Sequence, residues 1–141
     1  MKGQGFLLAA ITVVVVTVVV TGFLVMGSPQ EARKEELDKR RVEDLRMLAN
    51  LMTPEPGRPL RDSLDVNGYS PDMKRQLTDP ATGAPYEYHL ADSTHFELCA
   101  TFDTEVKAED MQTWEREWAH PKGRHCFRFD ARYPGGPRRV P

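Results

Sequence analysis

The sequence predicts an α+β fold, with an N-terminal transmembrane helix and an amphipathic helix packed on a small three-stranded antiparallel sheet. Three observations lead to this prediction. An uncharged apolar run covers residues 5–27, and a charged segment with apolar residues at helical spacing covers residues 28–52. Three segments after residue 85 alternate between apolar and other side chains, as strands of a half-buried sheet do.

The apolar run reads GFLLAAITVVVVTVVVTGFLVMG and contains no charged residue. Residues 6–26 as an α-helix would be about 31 Å long, which matches the hydrocarbon thickness of a bilayer. A helix is expected despite the valines because a lone strand in lipid would leave its backbone unpaired. A secretion signal is the alternative, but its apolar region is usually about 7–15 residues long. We therefore predict an N-terminal anchor, residues 1–27, that inserts residues 5–27 into the lipid bilayer.

The segment after the anchor begins with a helix start signal. Ser28 followed by Pro29, with Glu31 at the third helical position, forms a capping box. Residues 28–41 carry few apolar side chains and are predicted to be a charged stalk. Apolar residues then recur at helical spacing, and the second half of the helix is expected to pack on a core.

The strands are predicted from period-two alternation. Residues 86–90 and 96–102 form a hairpin around a turn at residues 92–94, and residues 125–130 form the third strand. One face of each strand is apolar and faces the helix. The predicted helix–sheet core comprises Val42, Leu45, Ala49, Met52, Tyr86, Tyr88, Phe96, Leu98, Phe127 and Phe129.

The domain boundaries follow from these elements. An extracytoplasmic α+β domain covers residues 28–131, with the stalk at 28–41 and the core at 42–131. A Pro/Gly-rich segment, 132–141, is predicted to be a disordered tail. Between the second and third strands, Met111, Trp114 and Trp118 have the spacing of a short helix that covers the core.

Two cysteines, Cys99 and Cys126, are each one residue out of phase with the phenylalanines of their strands. Period-two alternation therefore places both sulfurs on the face of the sheet opposite the core. We predict a disulfide between Cys99 and Cys126, which the strands can form if their register brings the two sulfurs together, and which indicates an oxidising compartment. A metal site using His120, His125 and Cys126, with His89 and His95 nearby, is the alternative. The paired spacing typical of zinc ligands is absent, so we expect no metal and no cofactor.

The orientation in the membrane follows from the cysteines. An oxidised pair indicates an anchor in the inner (cytoplasmic) membrane, single-pass, with the C-terminal domain in the periplasm. The count of positive charges argues for the opposite orientation, because Arg33, Lys34 and three further basic residues follow the anchor. That rule has less force for long domains, which are translocated largely regardless of charge.

The run DPATGAPYEY, in which Asp79, Pro80, Gly83, Pro85, Tyr86 and Tyr88 match, is similar to the segment that enters the sheet in major pseudopilins. Together with the Gly5-Phe6 junction and the apolar helix, the chain resembles the type IV pilin and type II secretion pseudopilin family. That resemblance implies a filament subunit whose apolar helix packs against other subunits. The chain also resembles uncharacterised bacterial single-pass membrane proteins in the layout of Leu98–Phe102 and Trp118–Phe127, which implies no activity.

The sequence contains no recognisable catalytic motif, and its net charge of −2 with interspersed signs argues against nucleic acid as a partner. No small-molecule substrate is evident. We predict a non-enzymatic, membrane-anchored envelope domain that binds or assembles with an unknown membrane or envelope protein. A pseudopilin-like subunit of a secretion or pilus filament is one alternative. A small metal-handling domain that uses the His/Cys cluster is the other.

Overall fold

The computed structural model describes residues 2–25, 28–55, 58–65, 67–133 and 136–137. The α-helices are α1 (Lys2–Val25), α2 (Pro29–Met52) and α3 (Pro71–Gln76), and the strands are β1 (Glu87–Leu90), β2 (His95–Phe102) and β3 (Gly123–Asp130). Two 3₁₀ turns, Ala108–Asp110 and Arg116–Trp118, lie between β2 and β3. The chain divides into two compact units, residues 1–33 and 34–141.

The first unit consists mainly of α1. Its three threonines turn their hydroxyls back onto the helix, where Thr12, Thr17 and Thr21 donate to carbonyl oxygens four residues earlier at 2.7–2.9 Å. The polar side chains in the valine run are therefore satisfied by the helix itself.

The predicted transmembrane part of the fold is wrong. A bilayer crossing takes about 20 consecutive, predominantly apolar helical residues. Within the described part of the chain, no helix reaches the length and apolar character needed to traverse a bilayer. This finding corrects the predicted transmembrane helix of the anchor and the single-pass inner-membrane location with a periplasmic domain. Of the predicted anchor, residues 1–27, residues 1 and 26–27 lie outside the described part of the chain.

Helix α2 begins as its capping signal predicts, because the backbone N–H of Glu31 donates to the Ser28 hydroxyl at 3.2 Å. Burial along α2 starts at Asp38, one turn before the predicted boundary at residue 42. The last turn of the predicted stalk therefore contributes two buried charged groups, Asp38 and Arg41, beside two exposed ones, Lys39 and Arg40. Of the predicted tail, residues 132–133 and 136–137 are described, and residues 134–135 and 138–141 lie outside the described part.

The sheet is three-stranded and antiparallel, as predicted, and its strand order is β1-β2-β3. The β1–β2 turn is held by Asp92, whose carboxylate accepts from the backbone N–H groups of Thr94 and His95 at 2.7 and 2.9 Å. The turn that leads into β1 is also held by an aspartate carboxylate that accepts from backbone N–H groups. Asp79 accepts from two backbone N–H groups at 2.9 Å, and Gly83 adopts a φ of 70° that favours glycine.

The core lies between α2 and one face of the sheet. Of the predicted core residues, Leu45, Ala49, Met52, Tyr86, Phe96, Leu98, Phe127 and Phe129 are buried there. Val42 and Tyr88 are partly buried and pack against it. Leu48, Leu60, Leu77, Ala100, Phe102 and Trp118 also belong to this core.

The predicted helix over Met111–Trp118 is not formed: residues 111–115 are bend and turn, and a 3₁₀ turn covers Arg116–Trp118. Trp118 is buried against Phe127 and Phe129, with ring centroids 5.1 and 5.9 Å apart. Trp114 is 68% exposed and does not cover the core. Trp118 lies in the 3₁₀ turn and Trp114 in the non-helical turn before it, so the helical spacing of the two tryptophans no longer places them on one face.

Removing the Tyr86 hydroxyl is expected to destabilise the domain. This hydroxyl donates to the buried carboxylate of Asp44 at 2.9 Å and connects the sheet to α2. Tyr86→Phe should lower the free energy of unfolding, measured by urea titration, by about 1.5–3 kcal/mol, because the bond goes to a charged group. Tyr88→Phe is the matched control. The Tyr88 hydroxyl donates to an exposed carbonyl at 2.7 Å, so its loss should cost about 0.5–1.5 kcal/mol. A larger loss for Tyr88→Phe would contradict the assignment.

Candidate functional site

A buried arginine joins three distant parts of the second unit. Arg41 on α2 is 4% exposed, and its guanidinium contacts Asp38 at 2.6 Å, Asp79 at 2.6 Å and Asp103 at 2.7 Å. Asp79 belongs to the turn before β1, and Asp103 follows β2. We call these four residues the Arg41 cluster. It attaches α2 to the segment after β2, which forms one wall of the groove described below.

Asp38 is fully engaged within the Arg41 cluster. Its carboxylate accepts from the backbone N–H groups of Asp103 and Thr104 at 3.0 and 2.7 Å and from the Thr104 hydroxyl at 2.6 Å. Burial by itself would raise the pKa of Asp38, but these hydrogen bonds and the one from Arg41 hold the pKa below its ordinary value. The pKa of Asp79 is likewise lowered, because the hydrogen bonds from Arg41, Thr82 and Ala81 outweigh burial.

These lowered pKa values predict a loss of stability in acid. A carboxylate with a folded-state pKa below its unfolded value stabilises the fold at higher pH, and this stabilisation is lost as pH falls through the folded value. The contribution from Asp38 and Asp79 should therefore be complete above about pH 4 and disappear below it. Urea unfolding from pH 5 to pH 2 should show a smaller decline for Asp79→Asn than for the unaltered chain. An equal decline would mean that Asp79 does not contribute to the acid sensitivity.

A groove of about 440 Å³ runs between α2 and the segment that joins β2 to β3. On α2 it is lined at spacings of three and four residues, from Glu35 through Val42 to Arg46. We call it the α2 groove. Its apolar lining consists of Val42, Val106, Met111 and Trp118. Val42, which was predicted to be in the core, thus also faces this opening.

His120 is one of the residues that line the α2 groove. Its ring stacks on Phe102 with centroids 3.7 Å apart, and its backbone pairs with that of Val106 at 2.9 and 3.1 Å. Burial lowers the pKa of His120, so the ring is neutral at physiological pH. A neutral ring fixed by stacking forms part of the wall of the groove.

The rim of the α2 groove is acidic. Five carboxylates line it: Glu35, Glu43, Glu105, Asp110 and Glu115. None of the five has an ion-pair partner among the residues that the structure describes. The cations that line the groove are Lys39 and Arg46, and Arg46 lies over the Trp118 ring at 5.1 Å. The groove therefore combines an apolar lining with an excess of negative charge.

The predicted disulfide is confirmed. Cys99 on β2 and Cys126 on β3 lie directly opposite each other and are bonded. They lie in one row with Glu87 of β1, on the face of the sheet opposite the core. Arg124 donates to Glu87 at 2.6 Å, and this hydrogen bond lowers the pKa of Glu87 to about 2.

The alternative metal site uses His120, His125 and Cys126 as ligands. In the structure these side chains make other contacts. The Cys126 sulfur is bonded to Cys99, and the His125 ring packs edge-on against Phe127. Among the described residues, one group of side chains could offer ligand atoms to a metal ion within 4.8 Å of one another. It consists of Glu87, His89 and Cys99. The sulfur in that set belongs to the disulfide, and the carboxylate is paired with Arg124, so the arrangement does not present a thiolate to a metal.

Helix α1 carries a second candidate surface. Its large apolar side chains at positions 7, 8, 11, 13–16 and 18–20 are 50–66% exposed. At 100° per residue these positions occupy every face of the helix. Exposed apolar area of this extent marks an interaction surface.

The Arg41 cluster and the acidic rim were missed in the sequence. Asp38 and Arg41 stand three residues apart, a spacing that indicates a helical ion pair but does not indicate its burial. Asp79 is the first residue of the DPATGAPYEY run, and its position there indicates only a turn residue. No family model, curated protein or solved structure matches this chain.

Proposed function

We propose that this chain is a non-enzymatic domain that acts by binding or assembling with protein partners. The observation that carries the proposal is the apolar surface of α1, exposed on every face of the helix. Removing such surface from water is favourable by roughly 25 cal/mol per Å², so a helix of this kind gains stability when other protein surfaces cover it. Packing against apolar helices of further copies would cover all its faces at once.

The second unit supports a binding role as well. His120 and His125 are packed on phenylalanine rings, and the two cysteine sulfurs are bonded to each other. These side chains therefore do not form the nucleophile–base pair on which covalent catalysis depends. The disulfide and the Arg41 cluster stabilise the domain, as a rigid binding module requires.

Sedimentation velocity of the full chain over a range of concentrations tests this proposal. We expect species larger than a monomer and a shift towards monomer in Val15→Lys, because a charge on α1 would have to be buried in the assembly. Val15→Leu is the matched control and should assemble like the unaltered chain. A chain that stays monomeric at all concentrations, or a Val15→Lys variant that assembles unchanged, would overturn assembly through α1.

A pseudopilin-like filament subunit is a second candidate. An apolar helix, a following helix packed on a small antiparallel sheet, and a DPATGAPYEY turn that pairs with α2 through Asp79 and Arg41 together favour it. Electron microscopy of the assembled full chain distinguishes the two candidates. Filaments of constant diameter would support the subunit role, and closed oligomers of fixed mass would contradict it.

A further inference from the structure

The α2 groove combines features suited to one kind of ligand. Its volume of about 440 Å³ lies within the range of sites that enclose a small ligand or a few side chains. Val42, Val106 and Met111 are half-buried, and Trp118, which is buried, lines the groove with them. An apolar group placed here would contact both walls, α2 and the segment after β2, at the same time.

The charges around the groove restrict the ligand further. Glu35, Glu43, Glu105 and Asp110 are exposed carboxylates without an ion-pair partner among the described residues. Asp38, which lines the same groove, is by contrast fully engaged by Arg41 and Thr104. The rim charge is therefore available to a ligand from outside, and it repels phosphate and other anions.

We infer that the α2 groove binds a segment of a partner protein in which an apolar side chain is flanked by lysine or arginine. The apolar side chain enters between Val42, Val106 and Met111, and the flanking cations pair with the acidic rim. The ligand class follows from charge complementarity, since like charges placed against this rim would cost several kcal/mol. None of the residues that line this groove belongs to α1, so the inference goes beyond assembly through α1 and does not depend on it.

The arrangement of the groove explains why a partner segment would be specific. Arg46 lies over the Trp118 ring and covers part of the apolar lining of the groove. Its positive charge repels a ligand cation from this part of the groove, whereas Glu35 and Glu105 attract it. The Arg41 cluster ties α2 to the Thr104 wall, which holds the groove at a fixed width before a ligand arrives. A preformed groove reduces the entropy cost of binding.

Fluorescence anisotropy with the full chain tests this inference. The probe is a labelled ten-residue peptide with a central leucine and two arginines on each side. Two matched probes replace either the arginines by glutamate or the leucine by serine. We expect saturable binding of the first probe at 150 mM salt and on the order of tenfold weaker binding of both replacements. Equal binding of the glutamate or serine probe would overturn the inference.

Variants of the chain test whether the peptide probe binds in the α2 groove. Glu35→Lys combined with Glu105→Lys reverses two exposed rim charges and should weaken binding on the order of tenfold. Glu36→Lys is the matched control, because Glu36 is exposed on α2 next to Glu35 but does not line the groove. Its affinity should equal that of the unaltered chain, and an equal loss in both variants would overturn the assignment to this groove.

The same variants distinguish a partner segment from other occupants of the α2 groove. If a second copy of this chain filled the groove, the rim reversals would change the sedimentation behaviour of the chain, and that outcome would also overturn the inference. Circular dichroism and thermal unfolding of each variant establish that the fold is retained. Because the readout is peptide binding, failure here leaves assembly through α1 unaffected.

Discussion

Replacing Arg41 by alanine is expected to lower the free energy of unfolding by about 3–5 kcal/mol, because it removes the counter-charge of a buried carboxylate. Asp38 is 2% exposed, and Arg41 is its ion-pair partner at 2.6 Å. The hydrogen bonds to Asp79, Asp103 and Asp38 keep the pKa of Arg41 above its ordinary value although burial opposes the charge. The guanidinium is therefore charged at every pH at which the protein folds.

Urea unfolding at pH 7 measures this change. Arg40→Ala is the matched control, since Arg40 is the preceding residue on α2 and is exposed, and its loss should change stability by no more than about 0.5 kcal/mol. A double replacement that removes both Arg41 and Asp38 should cost less than the sum of the single replacements, because both single changes remove the same ion pair. Equal effects of Arg40→Ala and Arg41→Ala would contradict the structural role of the Arg41 cluster.

Removing the disulfide is expected to cost about 3–4 kcal/mol, the loop-entropy value for the 27-residue separation of Cys99 and Cys126. A second unit of this size with one small sheet has a total stability of about 5–15 kcal/mol, so the loss is a large part of it. The cross-link acts chiefly by restricting the unfolded chain, because the two strands are already paired in the folded state.

Three variants and one control test the disulfide. Cys99→Ala, Cys126→Ala and the double replacement should lose about the same stability, because either change breaks the single bond. Thr101→Ala is the matched control, since Thr101 is exposed on the same strand and the same sheet face, and it should change stability by about 0.5 kcal/mol or less. A double replacement that costs about twice as much as each single one would show that the cysteines act separately.

The predictable part of the fold was local. Period-two alternation located β1, β2 and β3 and placed Cys99 and Cys126 on one face, because alternation along a strand alone decides which face a side chain occupies. Capping chemistry at Ser28 located the start of α2 for a similar reason, since a cap involves residues only three positions apart. The apolar run predicted a helix, which is observed as α1, but the transmembrane crossing inferred from it is wrong.

The candidate site was not predictable, because its parts come from distant segments of the chain. Arg41 and Asp103 are 62 positions apart, and Asp38 and Thr104 are 66 positions apart. Trp118 lies in the core while Trp114 is exposed, although a helical spacing would have placed both on one face. The acidic rim is formed by α2 and the segment after β2. Each of these segments, taken by itself, has the sequence of an ordinary solvated surface.

The sequence by itself therefore determined the start of α2, the three strands, their buried faces and the common face of the two cysteines, since these depend on periodicity, capping chemistry and strand alternation over a few residues. Only the tertiary structure decided which charges are buried, which tryptophan packs and where a groove opens. Burial of a charge depends on partners that the fold brings together, and the free energy of that burial is favourable only when those partners are in place.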